Sequence, residues 1–308
     1  MKYFLAFLGI VLITIGLSID EKYQTVKITE LFSENVVEIS LGEKNEYYRD
    51  YDFSFVQNTT DFVPDCKQDL LNIYYTAINA GKNQFTFYCG SDYDNCISDL
   101  ESIANNKSTL SLINNYVHPY NGFKHIETEY DSMGKITIII SKNYTEEDIR
   151  QIEAKLDLIE PTIVNENATL VENLKSIHDY IITNTTYDVD KRDNGSLTYK
   201  SDTAYGSLVQ GYGICSGYTD AMQLMLERLG VENFKVASDN HIWNVVNIDG
   251  SWKHLDLTWD DPILDPTIGL ELLIDDYFLI TTEELIALDQ AEHNFDQNIY
   301  TELKIKEA

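Results

Sequence analysis

The stretch from Gly211 to Asp261 constrains the fold more than any other, because patterns of two different periods meet in it. From Cys215 onward, Tyr218, Ala221, Met222, Met225 and Leu229 fall on one helical stripe, Leu224 and Leu226 widen it, and Gly230 stops it. Only Asp220, Gln223 and Glu227 interrupt the apolar surface, so the spacing predicts a central, mostly buried helix. His241–Ile248 and Trp252–Trp259 then read as strands on either side of Asp249-Gly250, a strong two-residue hairpin signal. A buried helix followed by an antiparallel hairpin sets an α+β architecture.

The hairpin also sets a register. A two-residue turn pairs Ile248 with Ser251, which carries His241 opposite Thr258 and Trp243 opposite Asp256. His241 and Asp256 then project from one face as diagonal neighbours, within reach of each other. His254 lies on the same face, opposite Val245, and is the rival base. Cys215 stands at the start of the helix, where free N–H groups and the positive dipole end favour negative charge on sulfur or on an attacked carbonyl oxygen. Gly211 and Gly213 allow a tight turn just ahead of it. A thiol to attack, an imidazole to move protons and a carboxylate to orient the imidazole make up a thiol-nucleophile triad.

Several motifs share this region: Ile177-His178-Asp179-Tyr180-Ile181, Ala204-Tyr205-Gly206-Ser207-Leu208, Gly213-Ile214-Cys215-Ser216-Gly217-Tyr218, His241-Ile242-Trp243-Asn244-Val245-Val246 and Leu255-Asp256-Leu257-Thr258-Trp259-Asp260-Asp261-Pro262. From Tyr144 to the C-terminus the chain resembles the transglutaminase-like superfamily, in particular its exported bacterial members. The resemblance implies a papain-like α+β core, with a nucleophile helix packed on an antiparallel sheet. It also implies Cys215 as nucleophile, His241 as base and Asp256 as orienting acid. The acidic residue usual after the cysteine is Ser216 here. Gln210 and Tyr205 are candidates for a second oxyanion donor, and Trp243 and Tyr218 for the walls of the substrate cleft. The implied activity is acyl transfer on peptide or glutamine amide bonds, by a peptidase or amidase rather than a protein crosslinker. The alternative is an inactive exported scaffold that keeps the fold. Neither reading calls for a cofactor or a metal.

The rest of the chain sets the context. Lys2 and the apolar run Tyr3–Ile19, closed by Asp20-Glu21, read as a signal peptide or signal-anchor over 1–19, with cleavage open. Export to the cell surface, with anchoring through residues 3–19, follows as an expectation. Residues 20–143 read as a smaller N-terminal α+β module and 144–308 as the catalytic domain. Within the module, short strands are expected at Thr25–Ile28 and Val36–Ile39, a helix over Asp65–Ala80, and strands at Lys124–Glu129 and Lys135–Ser141. Cys89 and Cys96 are spaced to close a small loop, while Cys66 could pair with either. Helices are expected from Thr145 to about Ile159, before Pro161, and from Leu170 to Asn184. His178 on the second of these reads as a structural histidine, and His293-Asn294-Phe295-Asp296 as a structural end to the domain. Asp260, Asp261 and Asp265 read as solvated or capping groups rather than cation ligands. With 22 basic and 51 acidic residues, the formal charge is −29, which excludes a phosphate-backbone partner and leaves a protein or peptide substrate.

Overall fold

Eight apolar or small residues, Leu70, Leu71 and Ile73 to Ile78, make the first regular element of the computed structural model, which describes residues 39–262 and 273–305. This helix, α1 (Lys67–Asn79), buries every residue from Leu70 to Asn79 except Asn72. Beside it lies a three-stranded antiparallel sheet of β1 (Gln84–Tyr88), β2 (Phe123–Tyr130) and β3 (Lys135–Lys142), with β3 in the middle. Tyr74 of α1 reaches the sheet through its hydroxyl, 2.7 Å from Thr128 Oγ1. Two short helices, α2 (Cys96–Ala104) and α3 (Lys107–Ile113), follow β1. A Cys89–Cys96 disulfide ties the end of β1 to the start of α2 and leaves Cys66 free and exposed. The run Tyr3–Ile19, the strand expected at Thr25–Ile28 and most of Val36–Ile39 lie outside the described residues, as does Asp265. Among the described residues, no helix is long and apolar enough to cross a membrane.

Two capped helices follow. α4 (Glu146–Ile163) and α5 (Leu170–Asn184) each open on a capping box, Thr145 with Asp148 and Thr169 with Glu172. Helix α4 passes through Pro161 rather than stopping before it. At this position, in the last turn, proline forfeits one backbone bond, and Val164 N–H closes the helix on Glu160 O at 2.9 Å. The chain then runs through β4 (Thr186–Tyr187), α6 (Val189–Asn194), a π-turn at Gly206–Gln210 and β5 (Tyr212–Gly213), which pairs with β4 in parallel.

The central helix, α7 (Cys215–Arg228), packs on a four-stranded sheet in the order β6 (Asn233–Ala237), β7 (Ile242–Ile248), β8 (Ser251–Leu255) and β9 (Phe278–Ile280). The register is the expected one, with Ile248 opposite Ser251 and Val245 opposite His254. Asp249 and Gly250 take the positive φ values, 52° and 81°, that such a turn demands. Residues of α4, α5, α7 and β7 close one core, including Leu156, Ile177, Met222, Met225 and Val246. A final short helix, α8 (Thr282–Ala287), covers β8.

Two arginines lock α7 in place. Arg228 at its C-terminal end reaches Glu153, Asp157 and Glu160 on α4, at 2.6–2.8 Å. Arg49 is 3% exposed; it donates to the carbonyls of Tyr116 (2.8 Å) and Asn233 and lies 3.3 Å from Glu227. The segment around residue 49 is thereby fixed to both the end of α7 and the start of β6.

Candidate active site

Cys215 is the first residue of α7, and its setting follows from how the helix begins. Ile214 is extended and donates its N–H to Ser201 O at 2.8 Å. Gly217 N–H and Tyr218 N–H turn back to Ile214 O at 2.9 and 3.1 Å. The N–H groups of Cys215 and Ser216 are left without a partner among the described residues. They stand at the positive end of a buried helix, beside the thiol. Two glycines make this possible by close packing: a Cβ on Gly217 would lie 2.3 Å from Ser201 O, and one on Gly213 would lie 2.5 Å from Ser207 Oγ.

The helix start is stitched to the strand that carries the imidazole. The Thr219 hydroxyl lies between Cys215 O (2.7 Å) and Ile242 O (3.0 Å), and Asn244 Nδ2 donates to Thr219 O at 3.1 Å. Neither Thr219 nor Asn244 stands out in the sequence, because their work is done between elements rather than along one. His241 sits just before β7, in a tight loop closed by Ser238 N–H to His241 O at 2.9 Å. Its Nε2 lies 2.5 Å from Asp256 Oδ2, and Cys215 is among the groups that act on the charge of the same ring. Both His241 and Asp256 are buried, while Cys215 is partly exposed.

The strand expected to run to Trp259 ends at Leu255, and the last pair on the ladder is Asn244 with Leu255. Asp256 is the reason: its Oδ1 accepts the N–H groups of Thr258 (3.0 Å) and Trp259 (3.3 Å), turning the chain away from the sheet. His241 and Asp256 therefore meet from two loops that leave the ends of paired strands.

Charge follows this geometry. Burial works against a cationic imidazole at His241, but the Asp256 carboxylate and the contact with Cys215 outweigh it and push the pKa up to about 10. Burial would likewise raise Asp256, yet its two histidine partners hold it well below the usual carboxylate range. The rival His254 is fully buried; its Nδ1 accepts from Trp243 Nε1 at 2.9 Å and its Nε2 meets Thr282 Oγ1 at 3.1 Å. Burial first, then the neighbouring His293, lowers its pKa to about 3. With both nitrogens committed, it has none left to meet a thiol.

Asp256 has a second histidine. His293 is buried and its Nε2 lies 2.8 Å from the same Oδ2. No periodicity marks it, since it lies in a short 3-10 turn, Ala291–His293, between irregular segments. The three groups His241, Asp256 and His293 are also the candidate metal ligands among the described residues, with donor atoms within 4.8 Å of one another. At 2.5 and 2.8 Å from one carboxylate oxygen, both rings are hydrogen-bonded to it.

The remaining candidates fall elsewhere. Tyr205 spends its hydroxyl on Gln151 Oε1 (2.9 Å), and Gln210 Oε1 accepts Lys200 N–H (2.8 Å). Tyr218 and Trp243, expected to wall the cleft, are 0% and 1% exposed and support the site from within. Tyr218 donates to Asp261, whose pKa burial pushes up to about 6. Trp243 stacks on His241 with ring centroids 5.6 Å apart. His178 is fully buried between Asp179 (2.9 Å) and Asp260 (3.0 Å), and Asp260 also accepts Tyr277 N–H at 3.0 Å. Asp260 is thus an internal strut and not a solvated group. A cleft of about 430 Å³ opens at Ser216, next in sequence to Cys215; its walls include Ser216, Ser238 and Ile242 together with Ser111, Asn114 and Pro119.

A central helix packed on an antiparallel sheet, with the buried His241–Asp256 pair at the edge of that sheet and Cys215 at the start of the helix, makes this an α+β protein. Residues 157–257 match the family model of the transglutaminase-like superfamily. Members of that superfamily are generally cysteine-dependent enzymes. Among solved structures, one described as a TGase is 14% identical, with a TM-score of 0.33, over 47% of this chain and 46% of its own. A second, a candidate cysteine protease from Cytophaga hutchinsonii, is also 14% identical, with a TM-score of 0.28, over 48% of this chain and 64% of its own. The chain thus spans about half the length of the first structure. No curated protein matches it.

Proposed function

We propose that this protein is a cysteine acyl-transfer enzyme that cleaves peptide or glutamine amide bonds by hydrolysis in preference to crosslinking. The observation that carries the reading is the buried pair of His241 and Asp256, 2.5 Å apart, with Cys215 at the start of α7 raising the pKa of the same imidazole. In the proposed reaction the Cys215 sulfur attacks the amide carbonyl carbon, and an S–C bond forms. The carbonyl oxygen takes the negative charge and is received by the free N–H groups of Cys215 and Ser216. The C–N bond breaks, and the departing amine takes its proton from the His241 imidazolium. Water, deprotonated by His241, then attacks the thioester, releasing a carboxylic acid and restoring the thiol. The polar side chains that line the cleft at Ser216, Ser238 among them, support water as the acceptor. Incubating peptide mixtures with the wild-type protein and with Cys215→Ala, and scoring new termini, deamidated glutamines and Gln–Lys crosslinks by mass, tests this. The expected outcome is new termini or deamidation with the wild type alone. Equal product from both proteins would overturn it.

We further propose that the protein acts outside the cytoplasm, at the cell surface. The apolar run after Lys2 supports this, and so does the Cys89–Cys96 disulfide, a bond that persists in oxidising compartments. Recovery of the protein in the cytosolic fraction with both cysteines reduced would count against it.

A further inference from the structure

We infer that His293 is a positioning residue of the proposed reaction, acting through Asp256 without touching the substrate. The inference rests on the acyl-transfer reading and adds a residue to it. Asp256 uses both oxygens fully: Oδ1 accepts Thr258 and Trp259 N–H, and Oδ2 accepts from His241 and His293. His293 is therefore half of what surrounds the oxygen that faces the base.

Its bonding differs from that of the other buried histidines nearby. His178 and His254 each have a partner on both ring nitrogens, as expected of imidazoles that serve packing. Among the described residues, His293 has one hydrogen-bond partner, Asp256, and its buried Nδ1 has none. Leaving a buried nitrogen unpaired is costly, so the ring is held there by that one bond and by its aromatic setting. That setting is tight. Tyr277 stacks on the ring at 4.8 Å and 25°, Trp243 meets it edge-on at 5.0 Å, and Trp259 lies at 5.0 Å. The titratable groups facing His293 are Asp256, His241 and Tyr277, with His254 behind Trp243. A ring immobilised in this way fixes the direction of the carboxylate. It also takes a share of the carboxylate's charge, so Asp256 pulls less strongly on the His241 proton than an unshared carboxylate would. That moderation matters because His241 must release its proton to the departing amine.

The test is the rate of Cys215 alkylation by iodoacetamide across the acid and alkaline range, followed by adduct mass, which needs no substrate. Cys66→Ser serves as the background, because Cys66 is also free and exposed. His293→Phe keeps a ring and removes the donor, whereas His293→Gln keeps a donor near the Nε2 position. With Phe, the alkaline limb of the profile moves to higher pH and the neutral-pH rate falls by about tenfold, a loss in the range typical of outer-shell partners. With Gln, the wild-type profile returns. A Phe profile that superimposes on the wild type, with or without a lower melting temperature, would overturn the inference and leave the acyl-transfer reading intact. Coincident profiles for wild type and His241→Ala would overturn that reading itself. If the Phe variant does not fold, the Nε2–H proton resonance of His293 in the wild type replaces it. That resonance shifts on alkylation of Cys215 if the shared oxygen couples the two rings, and a resonance that does not move would equally overturn the inference.

Discussion

Asp256 divides its work between its two oxygens: Oδ2 lies 2.5 Å from His241 Nε2, while Oδ1 accepts the N–H groups that turn the chain at Thr258 and Trp259. One side chain thus ends strand β8 and holds the base. An amide cannot replace it, because one end of an amide donates and every partner of Asp256 is itself a donor. Asp256→Asn should lower peptide cleavage, and with it the rate of Cys215 alkylation, by roughly 10²- to 10⁴-fold at neutral pH. A variant within threefold of wild type, about the noise of a structural change, would show that Asp256 does not orient His241.

The His241–Asp256 pair also sets a slope in stability against pH. His241 is raised in the folded state from an unfolded value of about 6.5, so its contribution is complete below that value. It is lost as pH rises through about 10. Asp256 is depressed, so its share is present above about pH 4 and lost on acidification. The two shifts describe one interaction and are not summed. Urea denaturation should give a wild-type stability that declines from near-neutral to alkaline pH more steeply than that of His241→Asn. Parallel curves would contradict the pairing.

Gly217 packs against backbone, where nothing flexible can yield: a Cβ there would lie 2.3 Å from Ser201 O. Gly217→Ala must displace the first turn of α7 or the Ser201 loop, at a cost of about 1–3 kcal/mol. The displaced turn carries the Cys215 and Ser216 N–H groups. Cleavage is therefore expected to fall further than the melting temperature alone explains, and equal loss of both would place Gly217 in packing only.

Arg49 tests the anchoring of the N-terminal segment. Arg49→Leu leaves Glu227 and the carbonyls of Tyr116 and Asn233 without their cation. Breaking one side of such a buried pair costs about 3–5 kcal/mol. Calorimetry should show a single transition at lower temperature, and an unchanged midpoint would mean the pair contributes nothing net.

What was legible in the sequence was what repeats along one element. The stripe from Tyr218 to Leu229 gave the central helix, and Asp249-Gly250 gave the register that brings His241 toward Asp256. Helices α4 and α5 begin where the sequence expects them, after Thr145 and at Leu170. What escaped was what passes between elements. Thr219 and Asn244 tie α7 to β7 by single bonds that leave no pattern. His293 comes from a turn that no period announces and reaches Asp256 across 37 positions. The early end of β8 escaped for a related reason: Trp252–Trp259 alternates like a strand, yet one carboxylate oxygen captures two N–H groups and ends it. Tyr218 and Trp243, expected as cleft walls, are buried behind the site, because exposure cannot be told from aromatic character alone.

The cleft at Ser216 takes part of its wall from Ser111, Asn114 and Pro119, far upstream of the 157–257 segment that matches the family model. In the proposed reaction, the surface a substrate would meet is therefore encoded partly outside the stretch that carries Cys215, His241 and Asp256. Such a division lets one stretch drift while the other is held, so that relatives with the same reacting groups could come to accept quite different molecules.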